Sequence, residues 1–225
     1  MELTPTSPKH PAKYTNSFIP MFASILSEPG YQKILDPFAG VGKIGSIRQH
    51  GFSGQIYANE IEPEWILPNE YGCDVITTED AECLTYPDGF FDAVCTSPTY
   101  GNRMADHHNA KDGSNRITYT HCLGRTLHEA NTGKMQWGEV YRRKHEAIYK
   151  NLVRMIRPGG VFILNISNHI RKGQEVDVCS FHVKTLEDLG MVLSSDTSVE
   201  TPRMRQGRNG AKRVRDEHIY VLRKP

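Results

Sequence analysis

The chain has 225 residues, 38% hydrophobic and 24% charged, with a formal net charge of +1. That mix is globular and sized for one large domain, which excludes a wholly disordered chain and a disulfide-stapled miniprotein. The charge is segregated: residues 103–144 carry +4 and residues 202–225 carry +6, leaving −9 elsewhere, the distribution expected of a body that meets a polyanion through two basic segments.

In chain order, residues 1–16 read as an extended arm without an apolar core, so no secretory leader is expected. Phe18, Phe22, Ile25 and Leu26 share one helical face, with Ser17 as cap and Glu28-Pro29-Gly30 as stop. Lys33–Leu35 reads as a strand running into Asp36-Pro-Phe-Ala-Gly-Val-Gly42, followed by a helix from Lys43 to His50 that Gly51 ends. A second strand, Gln55–Ala58, ends at Asn59-Glu60, and a helix is expected over Pro63–Tyr71. Further strands are expected at Asp74–Thr78, ending at Glu79-Asp80-Ala81, and at Phe91–Cys95, running into Thr96-Ser-Pro-Thr-Tyr100. Residues 101–136 form a long polar stretch, which at this length has a function or no structure. Tyr141, His145, Ile148, Leu152 and Met155 step by four and three, so a helix is expected over Trp137–Arg157, broken by Pro158-Gly159-Gly160. Val161–Ile166, a helix at Val178–Leu189, a strand at Met191–Val199, a basic loop at 202–215 and a strand at His218–Leu222 complete the chain.

Strands alternating with helices imply a mostly parallel sheet, and the last two strands, with no helix between them, imply an antiparallel hairpin. The longest aliphatic or aromatic run, Val161–Leu164, is too short to span a bilayer. The cysteines Cys73, Cys83, Cys95, Cys122 and Cys179 are odd in number with no CxxC pair, so neither a disulfide framework nor a zinc ribbon is expected, and a cytoplasmic setting is the simplest. His107, His108, His121, Cys122 and His128 lack zinc-ligand spacing, so no metal is expected.

Ligands in such sheets bind at the carboxyl ends of the strands. The glycines after Asp36 let backbone approach a ligand. Glu60 suits ribose hydroxyls and Asp80 an adenine amine, so the three strand ends describe an adenosine-bearing ligand. Ser97 Oγ and the Pro98 carbonyl can accept both N–H bonds of an exocyclic amine, with Tyr100 stacked on the base that carries it.

Asp36–Gly42 together with Thr96–Tyr100 resembles the class I, S-adenosylmethionine-dependent amino-methyltransferases of DNA, and Gly101–Asp106 is similar to small phage and bacterial DNA methylases. The resemblance runs from His10-Pro-Ala-Lys-Tyr14 to the final hairpin. It implies a Rossmann-like class I methyltransferase fold in one domain, 1–225: a mostly parallel seven-stranded sheet, a C-terminal antiparallel hairpin and helices on both faces. It implies S-adenosylmethionine as cofactor, S-adenosylhomocysteine as product, no metal and double-stranded DNA as partner. Lys13 and Tyr14 would close over the methionine end, Asp36, Phe38, Ala39, Gly40 and Gly42 would line the cofactor, Glu60 would take the ribose, and Asp80 with Ala81 the adenine. Ser97, Pro98, Thr99 and Tyr100 would be catalytic, with Thr99 replacing the usual second proline.

The Thr-Ser-Pro pattern favours cytosine N4 as target, ahead of adenine N6, an RNA amine, and an inactive nucleic-acid-binding relic. Arg103, Arg116, Arg125 and Lys134 in the 101–136 insertion, and Arg203, Arg205, Arg208, Lys212 and Arg213 in the 202–215 loop, are the expected phosphate contacts. Arg142, Arg143 and Lys144 read as a solvated helix face. Without a separate recognition domain, a short site or a homodimer sharing the work is expected.

Overall fold

The computed structural model describes residues 10, 11, 14, 16–27, 30–102, 115, 117–201 and 214–225. The elements are α1 (Phe18–Leu26), β1 (Lys33–Asp36), a 3-10 helix (Lys43–His50), β2 (Gln55–Asn59), α2 (Pro63–Ile66), β3 (Val75–Thr77) and β4 (Phe91–Thr96). Then come α3 (Tyr119–Leu123), α4 (Glu139–Met155), β5 (Ile156–Ile166), β6 (His169–Arg171), β7 (Gln174–Val176), α5 (Cys179–Asp188), β8 (Val192–Glu200) and β9 (Asp216–Arg223). Seven strands form one sheet in the order β3-β2-β1-β4-β5-β9-β8, and β6 pairs with β7 separately. Every pairing from β3 across to β5 is parallel, whereas β9 runs antiparallel to both β5 and β8.

The alternation of side chains along each strand decides which helices cover which face. Ile34, Ile56, Ala93, Val161, Ile163 and Val221 bury against α1 and the 3-10 helix. Their neighbours Leu35, Tyr57, Val94, Phe162, Leu164 and Leu222 bury against α4 and α5. Each fully buried side chain of this size contributes about 1.5–3 kcal/mol, so a sheet with both faces covered carries most of the stability. No described helix is long and apolar enough to cross a membrane.

Several expected boundaries move, for local reasons. The helix expected over Pro63–Tyr71 stops at Ile66; Pro68 has no N–H to carry the hydrogen-bond ladder on, and Asn69 takes a φ of 48°. The helix expected over 43–50 is present but wound as 3-10. α4 starts at Glu139 because Gly138 before it is fully extended, at φ 169° and ψ −169°, and the preceding Trp137 is tied to Gly101, its N–H donating to that carbonyl at 2.7 Å. It ends at Met155, and β5 begins at once, with Ile156 paired to Phe91. Pro158 disfavours helix at Arg157, whose guanidinium reaches Asp92 at 2.5 Å. Ser17 precedes α1 but makes no capping bond. The stretch 101–136 holds α3 and a 3-10 turn at Thr132–Lys134, and the β6–β7 hairpin has no counterpart in the sequence reading.

Candidate functional site

The carboxyl ends of the parallel strands open onto a cavity of about 420 Å³. β9 brings a further residue there because it runs backwards: with His218 opposite Ile166 at the end of β5, its first residues lie at the same edge, and Glu217 lines the cavity.

Asp36 organises the turn rather than facing the cavity. It is fully buried and accepts from the Tyr14 hydroxyl at 2.8 Å, the Thr96 hydroxyl at 2.7 Å and the Phe38 N–H at 3.1 Å. Its bonds therefore tie the N-terminal arm, β1 and β4 together. Burial pushes its carboxyl up to about 6, against the pull of those three donors. Gly40 has φ +55°, and a Cβ there would sit 3.2 Å from the His10 ring. The left-handed backbone favours glycine, and any side chain there would press on that ring. Gly42, also in the left-handed region at φ +77°, packs towards Ile66 and Cys73. Asp36 and Gly42 thus stand behind the cavity, whereas Tyr14, Phe38, Ala39 and Gly40 line it.

Glu60 follows β2 and lines the cavity. Its carboxylate accepts the Gly40 N–H at 2.9 Å and the Glu62 N–H at 3.1 Å, and burial pushes it up to about 7. Asp80 and Ala81 line the same cavity after β3. Asp80 caps the Ala81–Cys83 turn by accepting the Glu82 N–H and pairs with Lys144 at 2.6 Å. Lys144 is only 14% exposed and also pairs with Glu82, so it braces Asp80 and is not part of a solvated face.

Ser97, Pro98, Thr99 and Tyr100 all line the cavity. The Tyr100 hydroxyl donates towards Glu217 at 3.4 Å and lies 3.2 Å from Ser97 Oγ. With the Tyr100 proton directed to a carboxylate, the Ser97 proton goes to Tyr100, which leaves the Ser97 lone pairs as acceptors. The Thr99 side chain donates to Thr132 at 2.8 Å, and its carbonyl accepts from Tyr141.

Sequence reasoning missed several parts of this site. Asn59 stitches three strand ends through Pro37, Thr77 and Glu79. Trp65 and Tyr119 line the cavity beside His10, whose ring lies 4.2 Å from Trp65. The buried Trp65 Nε1 has no hydrogen-bond partner among the described residues. Glu62 is fully buried and receives the His128 N–H and the Asn131 amide, both at 2.8 Å.

Arg125, an expected phosphate contact, is engaged within the fold. Its guanidinium is forked onto Glu64 and also pairs with Glu62 at 2.8 Å, so it fastens the segment after α3 to α2. Lys134 donates to the Leu127 carbonyl at 3.5 Å. Lys13, Arg103, Arg116, Arg203, Arg205, Arg208, Lys212 and Arg213, with His107 and His108, lie outside the described residues. Asn102 and Glu217, which adjoin the two basic segments, both line the cavity.

No protein-family model and no curated protein sequence matches the chain. Solved structures match it in shape. A SAM-dependent methyltransferase from Methanosarcina mazei is 14% identical over 91% of this chain and 97% of its own, with a TM-score of 0.57. A geranyl diphosphate methyltransferase, solved with GPP and sinefungin, is 10% identical over 93% of this chain and 78% of its own, at 0.59. The [4+2]-cyclase SpnF is 14% identical over 92% of this chain and 81% of its own, at 0.54, so one fold hosts different chemistries. The strand order, the single reversed strand β9 and these likenesses together establish that the chain has the Rossmann-like class I methyltransferase fold.

Proposed function

We propose that the protein transfers a methyl group from S-adenosylmethionine to an exocyclic amine of a flipped DNA base, cytosine N4 first. The observation that carries this reading is that acidic strand-end residues and the Ser97–Tyr100 motif share one cavity.

The residues present fit the cofactor. Glu60, Glu79 and Asp80 line the cavity with carboxyl groups that can accept from ribose hydroxyls and an amine, and Phe38, Ala81 and Ile148 supply apolar surface for a purine. The orphaned Trp65 indole N–H adds a buried donor at the same cavity. Glu60 would hold the ribose, Asp80 and Ala81 the adenine, and Tyr14 with Gly40 the methionine end. When bound, S-adenosylmethionine supplies an electrophilic methyl on a sulfonium. An Asp80→Ala variant should weaken S-adenosylmethionine binding about tenfold in calorimetry, the effect of losing one charge-assisted hydrogen bond; unchanged affinity would remove Asp80 from the adenine site.

Ser97 Oγ and the Pro98 carbonyl accept the two N–H bonds of the amine and orient its nitrogen. Tyr100 packs on the base. The proton shed by the amine has a route through Ser97 and Tyr100 to the Glu217 carboxylate. Positioning of this kind contributes up to roughly 7–11 kcal/mol in ideal cases. The basic segments that adjoin Asn102 and Glu217 support a polyanionic substrate at the cavity mouth.

The test is nucleoside mass spectrometry of DNA incubated with the protein and methyl-deuterated S-adenosylmethionine. Label in N4-methylcytosine is the expected result. Label in N6-methyladenine overturns the base, and label on RNA alone overturns the carrier. No label on either, with no cofactor binding, overturns the reaction. Ser97→Ala should lower turnover about 100-fold or more with duplex binding unchanged; equal losses in both would remove its role.

A further inference from the structure

Behind the Ser97–Tyr100 loop lies a column of fully buried polar rings, none of which lines the cavity. Tyr141 and Tyr149 come from α4 and His182 from α5. His182 Nδ1 is 2.6 Å from the Tyr149 hydroxyl, and its Nε2 is 2.8 Å from the Tyr141 hydroxyl. The Tyr141 hydroxyl donates to the Thr99 carbonyl.

The direction of every bond follows. A carbonyl can only accept, so Tyr141 gives its proton to Thr99 and must accept from His182 Nε2–H. A neutral imidazole with its proton on Nε2 has a lone pair on Nδ1, and that lone pair takes the Tyr149 proton. The chain therefore reads Tyr149 to His182 to Tyr141 to Thr99. The imidazole stays neutral because burial, with His145 beside it, holds its pKa well below the ordinary histidine value.

We propose that Tyr141, oriented by His182 and Tyr149, is a positioning residue that fixes the Thr99 peptide and with it the Pro98 carbonyl and the Tyr100 ring. The proposal rests on the methyl-transfer reading above for its effect on rate. Its physical need is plain: a proline at position 99 would lock φ by its ring, and threonine does not. Here the side chain is held by Thr132 at 2.8 Å and the backbone by Tyr141. A misplacement of about 1 Å at such a loop costs about 100-fold in rate, so the second anchor matters.

Two variants and two readouts test it. Tyr141→Phe removes the donor and keeps the ring. Tyr149→Phe touches neither the loop nor the cavity, but it releases His182 Nδ1. The imidazole can then carry its proton on Nδ1 and draw the Tyr141 proton to Nε2, away from Thr99. Amide hydrogen exchange on the protein alone should show residues 97–102 exchanging several-fold faster in Tyr141→Phe and, to a smaller degree, in Tyr149→Phe, with the sheet unchanged. In methyl transfer, kcat should fall about tenfold or more in Tyr141→Phe, with the KM for S-adenosylmethionine held within about two-fold. Wild-type exchange at 97–102 in both variants overturns the proposal, as does an unchanged kcat in Tyr141→Phe. A wild-type protein that methylates no nucleic acid overturns the functional reading instead, and the exchange arm still decides the anchoring. A Tyr141→Phe protein that fails to fold leaves the decision to Tyr149→Phe by the same readouts.

Discussion

Asp36→Ala is expected to cost the fold about 3 kcal/mol and to weaken S-adenosylmethionine binding at least tenfold. Two buried donors, from Tyr14 and Thr96, and the half-buried Phe38 N–H lose their common acceptor. Each stranded donor costs about 1–3 kcal/mol, and the relief of a desolvated carboxylate offsets part of the sum. The cofactor suffers because Tyr14 lines the cavity and is held there by this bond. Urea unfolding and calorimetry check both halves; a variant with the wild-type urea midpoint and affinity would show the carboxylate to be dispensable. Asp36→Asn separates charge from shape. The folded carboxyl is raised to about 6 by burial, so the folded state holds its proton more tightly than the unfolded chain. Wild-type stability from this group is therefore greatest below about pH 4 and falls as pH rises through 6, by about 3 kcal/mol in all. An amide in its place cannot titrate. Against wild type, the Asp36→Asn protein should lose about 1 kcal/mol at pH 4.5 for its missing acceptor, gain ground as pH rises through 6, and level off above about pH 7. Parallel stability curves would remove the assigned cause.

Acid acts on His145 with the opposite sign. Its Nδ1 lies 2.9 Å from the Tyr141 carbonyl, which fixes the proton there, and its buried Nε2 has no partner among the described residues. Burial pushes this imidazole down to about 4. The unfolded chain thus binds a proton below about pH 6.5 that the folded chain refuses. The stability at stake is complete above 6.5 and is lost as pH falls towards 4, by about 2–3 kcal/mol at pH 4.5. His145→Gln keeps a donor for the Tyr141 carbonyl and removes the titration. Unfolding of both proteins in urea at pH 7 and pH 4.5 should show the variant sparing most of that loss. Asp36 and Glu60 drift the other way over this range, so the measured quantity is the difference between the two proteins. Equal pH dependence would place the acid sensitivity elsewhere.

What the sequence revealed was what local rules govern. Apolar runs such as Val161–Leu164 and the punctuation after Asp36, Asn59 and Cys95 are written in neighbouring residues, so the strands and their functional ends were legible. The shortened α2 was also local, because Pro68 sits in the stretch read as helix. The rest depends on partners far apart in the chain. Arg125 reads as a free cation until the fold brings Glu64 to it from 61 residues away. Lys144 reads as solvated until β3 delivers Asp80, and the His182 column needs α4 and α5 side by side. The acidic character of Asp36 was visible, but its inward direction was not, since a strand-end carboxylate can face a ligand or its own turn with the same sequence.

The backward run of β9 has a consequence for how such a site can change. Glu200 and Asp216, opposite one another across the last pair of strands, begin and end a connection at the same edge as the cavity. β8 and β9 are neighbours at the end of the sheet, so residues can be added between them without shifting the strands from β3 to β5. Each doubling of such a connection costs only about 0.6 kcal/mol of closure entropy. The scaffold is therefore modular: a different target could be accommodated by exchanging one peripheral connection, while the buried sheet and the strand ends around Asp36 and Glu60 stay as they are.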